Sequence, residues 1–233
     1  MGRSLGTPRQ WVSMVDIAYD TLLEAISDRR LAPGAHLDIR EAAESLGMSP
    51  TPVREALARL SSDGITTLDA NRGYRVTALL TMPEFKQLFA ARRVIEFGAL
   101  RQVTTETPSR PWVKALTDEQ VKEIVSLEQA ARTAAHGPRF ADYAEFNRAD
   151  TALHEAILAA TGNAFLTQAW KRLHCHLHLS RLYAGPGVVD FDDACVEHGA
   201  IVQGIVQQDT KLLIKAYEAH VHNAEKRLGR LVQ

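Results

Sequence analysis

The chain has 233 residues, 45% apolar and 24% charged, with a formal net charge of −1. That length supports two ordinary domains without disulfide or metal staples, and no apolar run approaches the roughly 20 residues of a membrane-spanning helix. Two cysteines, Cys175 and Cys195, exclude a disulfide framework or a four-cysteine zinc site and read as two buried thiols. Residues 1–10 carry no apolar stretch behind Arg3, so no export signal is expected and the cytoplasm is the expected compartment. Residues 1–77 hold nine Arg and no Lys against ten Asp plus Glu, so affinity of this half for a polyanion must come from how its charges are arranged.

From about Trp11 to Arg29, Val15, Ala18, Leu22 and Ile26 recur at helical spacing, opposite an acidic stripe of Asp16, Asp20, Glu24 and Asp28. Leu31-Ala-Pro-Gly-Ala breaks that helix. A short helix is predicted from about Asp38 to Leu46, with Gly47 placed for a left-handed C-terminal cap. Ser49 is expected to cap the next helix, whose first turn tolerates Pro50 and Pro52 because its N–H groups have no intrahelical partner to lose. Val53, Leu57 and Leu60 continue a buried face, which leaves Arg54, Glu55 and Arg59 beside it or outward. Ile65–Leu68 and Tyr74–Thr77 read as two strands joined by a turn over 69–73. Three helices and a hairpin make a winged helix-turn-helix, assigned to residues 1–78.

Residues 79–233 read as an antiparallel helical bundle, so the fold class is mainly α. Thr81 with Glu84 and Thr117 with Gln120 are capping boxes. Helices are predicted at about 81–105, 118–135, 139–160, 164–183, 190–207 and 210–229, separated by proline and glycine breaks.

The run Leu31-Ala-Pro-Gly, Leu37-Asp-Ile-Arg-Glu, Leu46-Gly-Met-Ser-Pro-Thr-Pro-Val-Arg-Glu-Ala-Leu-Ala-Arg-Leu, Asp63-Gly and Arg72-Gly-Tyr-Arg-Val resembles the DNA-binding domain of the GntR family of regulators. The remainder is similar to the FadR-type effector domain called FCD, through Leu88-Phe-Ala-Ala-Arg-Arg-Val-Ile-Glu96, Asp150-Thr-Ala-Leu-His-Glu, Gly162-Asn163, Glu197-His198 and His220. The resemblance implies a homodimer on a palindromic operator in double-stranded DNA, with its grip controlled by a small carboxylate or sugar acid. The family pattern has an arginine where this chain has Pro50, so the operator sequence does not transfer.

In a helix-turn-helix the recognition helix enters the major groove N-terminus first. That geometry selects Thr51 and Arg54 for base edges, with Ser49 and Thr51 suited to phosphate. Arg40 matches a family position that contacts DNA, Arg72 and Gly73 stand at the wing tip, and Arg59 is a weaker candidate that also has Glu55 four residues away.

Asp150 and His154, four residues apart on an apolar face, are spaced to chelate one ion. His198 lies on an apolar stripe, and His220 is the inward member of a pair whose outward member is His222. These four coincide with the metal positions that the FCD resemblance implies, and a three-imidazole, one-carboxylate set suits a divalent first-row ion such as zinc or nickel. Arg92, four residues before Glu96, is open between an effector-binding guanidinium and an internal ion pair. His174 is open between pocket and core, and Asn163 between a pocket residue and an N-cap. A metal-dependent hydrolase is the rival reading, but no HExxH pattern or second carboxylate pair supplies a general base. A helical protein with a purely structural metal is the third.

Overall fold

A computed structural model describes residues 13–27, 29–69, 73–106, 116–134, 140–183, 190–230 and 232, and only the backbone course at 102–106, 140–144 and 175–183. Asp28, Arg72 and the Cys175 side chain lie outside the described residues. Cys195 is buried.

The N-terminal unit comprises α1 (Met14–Ser27), β1 (His36–Leu37), α2 (Ile39–Leu46), α3 (Pro50–Ser62), β2 (Thr66–Asp69) and β3 (Gly73–Val76). Its core takes Ala18, Leu22 and Ile26 from α1, Val53, Leu57 and Leu60 from α3, and Leu37, Tyr74 and Val76 from the sheet. The apolar spacing of α1 and α3 thus meets at one seam, which is what drives short helices to pack. At the N-terminus of α2 the Asp38 carboxylate accepts from the backbone N–H of Arg40 and Glu41. At its C-terminus Gly47 adopts φ 63°, where its own N–H reaches back to the last turn.

Two local expectations differ from the structure. The sheet has three strands, in the order β1-β3-β2, because the segment after Gly34 is pinned to β3. Leu37 pairs with Tyr74, and Val76 donates its N–H to Ala35 O at 2.9 Å. Ser49 stands at the N-cap of α3 but makes no side-chain cap bond. The hydroxyl therefore remains on an exposed residue.

The second unit holds α4 (Met82–Glu106), α5 (Asp118–Thr133), α6 (Phe140–Ala159), α7 (Ala164–Tyr183), α8 (Phe191–Val206) and α9 (Thr210–Gly229). Thr117 and Gln120 form the full capping box of α5. At Thr81 the arrangement is one-sided: both its N–H and its hydroxyl donate to Glu84, at 2.8 and 2.7 Å. The main core joins Phe85, Phe89 and Leu100 of α4 to Ile124, Leu153, Ile157, Ile201, Val202, Ile205, Leu213, Tyr217 and Val221. α8 and α9 approach tightly at Gly204, where a Cβ would stand 2.7 Å from Leu213 N. Among the described residues no helix is long and apolar enough to cross a membrane. α1 packs on α3 and also touches α6 and α7, so it is the element that joins the two units.

Candidate metal centre and nucleic-acid interface

Three helices of the second unit converge on a buried group of imidazoles. α6 supplies Asp150 and His154 from successive turns of one face, α8 supplies His198 and α9 supplies His220, each no more than 3% exposed. One ring nitrogen from each of His154, His198 and His220 lies within 4.8 Å of the other two. Asp150 joins them from the side: its Oδ1 is 3.3 Å from His198 Nε2, and its Oδ2 is 3.6 Å from His174 Nε2. His174 is thus brought to the same cluster, with its ring stacked on Trp170 at 4.2 Å.

The outer nitrogens of two rings are occupied. His154 Nδ1 is 3.0 Å from the Tyr217 hydroxyl, and His220 Nδ1 is 2.9 Å from Glu197 Oε2. Glu197 also accepts from Asn223 Nδ2 at 2.9 Å and from both Arg227 Nη atoms, at 2.7 and 2.9 Å. Burial pushes the Glu197 carboxyl up, but the hydrogen bonds from Arg227, His220 and Asn223 outweigh it and hold the group down at about 2. Burial holds His154 well below the ordinary histidine value, offset only in part by Asp150, so its ring is neutral. Three imidazoles with ring nitrogens this close, beside a carboxylate, are the donor set that a divalent first-row cation takes. The residues fit such an ion.

Arg92 is paired within its own helix. Its Nε lies 2.5 Å from Glu96 Oε1 and its Nη2 3.3 Å from Oε2, and both residues are sealed from solvent. Trp170 Nε1 donates to the same carboxylate at 3.1 Å. The internal ion pair is therefore the arrangement present, because a guanidinium this deep needs a counter-charge from its own fold. Asn163 caps α7 through Oδ1, which accepts from Leu166 N at 3.2 Å.

At the other end, α3 presents its first turn to solvent. Arg40, Ser49, Thr51 and Arg54 are all exposed, and among the described residues neither Arg40 nor Arg54 is held in an ion pair. Arg59 is held: its Nη1 is 2.9 Å from Asp16 Oδ1, and its guanidinium lies 4.4 Å from the centroid of the Tyr19 ring. Its partner is across the helix seam on α1 and not Glu55. Gly73 is required by the sheet, since it takes φ 96° and a Cβ there would meet Leu37 O at 2.8 Å.

Sequence reasoning did not find Glu197 as a partner of His220. Adjacent helical residues diverge by about 100°, so the placement of His198 says nothing about where Glu197 points, and its partners lie 23 to 30 residues away. Tyr217 carried a signal, because it shares the inward face of α9 with His220 at a spacing of three.

The profile of the FCD domain matches residues 87–223, and that of the bacterial regulatory proteins of the gntR family matches residues 15–76. A relative in Paenarthrobacter nicotinovorans named "Probable D-xylose utilization operon transcriptional repressor" is 27% identical over 202 residues, 87% of this chain and 83% of that one. The gluconate operon transcriptional repressor of Bacillus subtilis is 23% identical over 230 residues, 95% of this chain and 88% of that one. Among solved structures, E. coli McbR/YncC superposes with a TM-score of 0.68 at 20% identity, covering 96% of this chain and all of that one, a likeness of fold. With a helix-turn-helix at one end and a histidine-centred bundle at the other, matched in order by those two profiles, this chain belongs to the GntR family of transcription regulators and carries an FCD domain.

Proposed function

We propose that this protein is a metal-containing, ligand-controlled DNA-binding repressor. Residues 1–78 serve as the DNA-binding domain and residues 79–233 as the sensing domain. Thr51 and Arg54, at the exposed start of α3, read base edges in the major groove. Ser49 and Arg40 hold phosphate, and Arg72 follows the wing into the minor groove. Arg59 supports α3 from behind, since its charge is already matched by Asp16. A homodimer on a palindromic operator places two such helices about one turn of duplex apart, and the cytoplasm is the compartment where it acts.

His154, His198 and His220, with Asp150, hold one divalent ion, zinc or nickel by donor chemistry. Such an ion keeps positions for a ligand oxygen, which suits a small carboxylate or sugar acid. Relatives named for D-xylose and gluconate operons support that class. The effector favours one arrangement of the two DNA-binding domains over another and so changes operator affinity. α1, which touches α6 and α7 and packs on α3, is the physical route.

The single observation that carries this reading is the buried three-imidazole group in a chain whose other end exposes a recognition helix. Elemental analysis of the purified protein, followed by fluorescence anisotropy on DNA upstream of its own gene with and without organic acids and sugar acids, tests it. One equivalent of metal and at least one acid that weakens DNA binding are expected. Arg54→Ala should lower operator affinity about 10- to 100-fold, and His198→Ala should remove the metal. DNA affinity unmoved by every acid overturns the sensing role, and metal content equal to the parent in His198→Ala overturns the site.

A further inference from the structure

One of the three imidazoles is backed by a half-buried carboxylate. His220 meets Glu197 directly, at 2.9 Å from Nδ1. With Arg227 and Asn223 donating to it, the Glu197 carboxylate can only accept. The hydrogen between the two groups therefore sits on His220 Nδ1.

With Nδ1 donating to Glu197, the nitrogen that His220 can offer to a cation is Nε2. A histidine that donates its other N–H to a carboxylate is fixed in orientation and becomes a more basic ligand.

We propose that Glu197 is a positioning residue of the cation site, acting on His220 directly, with Arg227 and Asn223 holding the carboxylate in place. The inference rests on the reading of the imidazole group as a cation site, but the tautomer itself does not.

The test has two arms. In the first, ring nitrogen NMR on the metal-free, full-length protein, with a His220→Gln variant for assignment, is expected to report Nδ1–H at His220. A ring protonated only at Nε2 overturns the proposal, and this arm depends on no variant at Glu197. In the second, zinc affinity is measured by chelator competition for the parent and Glu197→Gln, with circular dichroism to establish that each is folded. The substitution is expected to weaken zinc binding about 10- to 100-fold. A variant that matches the parent within twofold overturns the positioning role. A parent that takes up neither zinc nor nickel overturns the cation reading itself, a result the two arms keep separate from the first.

Discussion

At the scale of single residues, the strongest constraints are those that a backbone or a charge cannot escape. Gly73 combines φ 96° with a Cβ position 2.8 Å from Leu37 O. A side chain there is strained by conformation and pushes β1 off β3, so Gly73→Ala should cost about 2 kcal/mol in urea unfolding. Asp38 works through charge. Hydrogen bonds from the backbone of Glu41 and Arg40 hold its carboxyl below the usual value. A carboxylate lowered on folding stabilises above its unfolded pKa near 4 and stops doing so as pH falls through its folded value. Asp38→Ala should therefore lower the melting temperature at pH 7, and the gap to the parent should close as the pH is taken down to about 2. A gap that persists unchanged in acid would mean the cap acts through something other than its charge.

At the scale of elements, the helix pair α8 and α9 determines whether the imidazoles meet. Each carries one, His198 and His220, and the two rings lie 4.8 Å apart between centroids. That approach depends on Gly204, whose missing Cβ leaves room for the backbone of Leu213 at the start of α9. Gly204→Ala gains helix propensity but forces the two helices apart, and overpacking of this kind costs about 1 to 3 kcal/mol. The expected outcome is a lower denaturation midpoint together with weaker zinc binding by chelator competition. A variant that loses stability but keeps its zinc affinity would show the imidazoles to be held by something other than this contact. The start of α3 is the opposite case, where a helix end is left open: Ser49 forms no cap bond and Pro50 occupies the first helical position. An unsatisfied helix N-terminus on the surface is a site for anions, and it coincides with the exposed Thr51 and Arg54.

At the scale of the whole molecule, the two units keep separate apolar cores among the described residues, that of the first spanning residues 18–76 and the main one of the second centred on α4, α6, α8 and α9. They are joined mainly through α1, which serves the first core with Ala18, Leu22 and Ile26 while touching α6 and α7. α6 carries Asp150 and His154, so a change in the imidazole group has a direct mechanical neighbour in the DNA-binding unit. Calorimetry should resolve two transitions. Zinc at about 100 times its dissociation constant should stabilise the one belonging to residues 79–233 by about 3 kcal/mol, and a chelator should reverse the shift. If both transitions move equally, the two units are coupled too tightly to unfold apart.

Much of this was legible in the sequence. Helical periodicity and capping residues located the helices seen among the described residues within a few residues, because both are local properties of a 3.6-residue repeat. The same repeat sorted His220 inward and His222 outward, and placed Asp150 beside His154. What it could not reach were pairings between distant segments. β1 is two residues long and exists only because β3 is there to bind it. Arg59 chose Asp16, 43 residues away, over Glu55 one turn away, because α1 crosses α3 at that point. Glu197 and Tyr217 became the outer partners of the imidazoles through packing among α6, α8 and α9. Local spacing determines which face of an element a side chain occupies, whereas the partner it meets there depends on which face of another element the fold brings opposite.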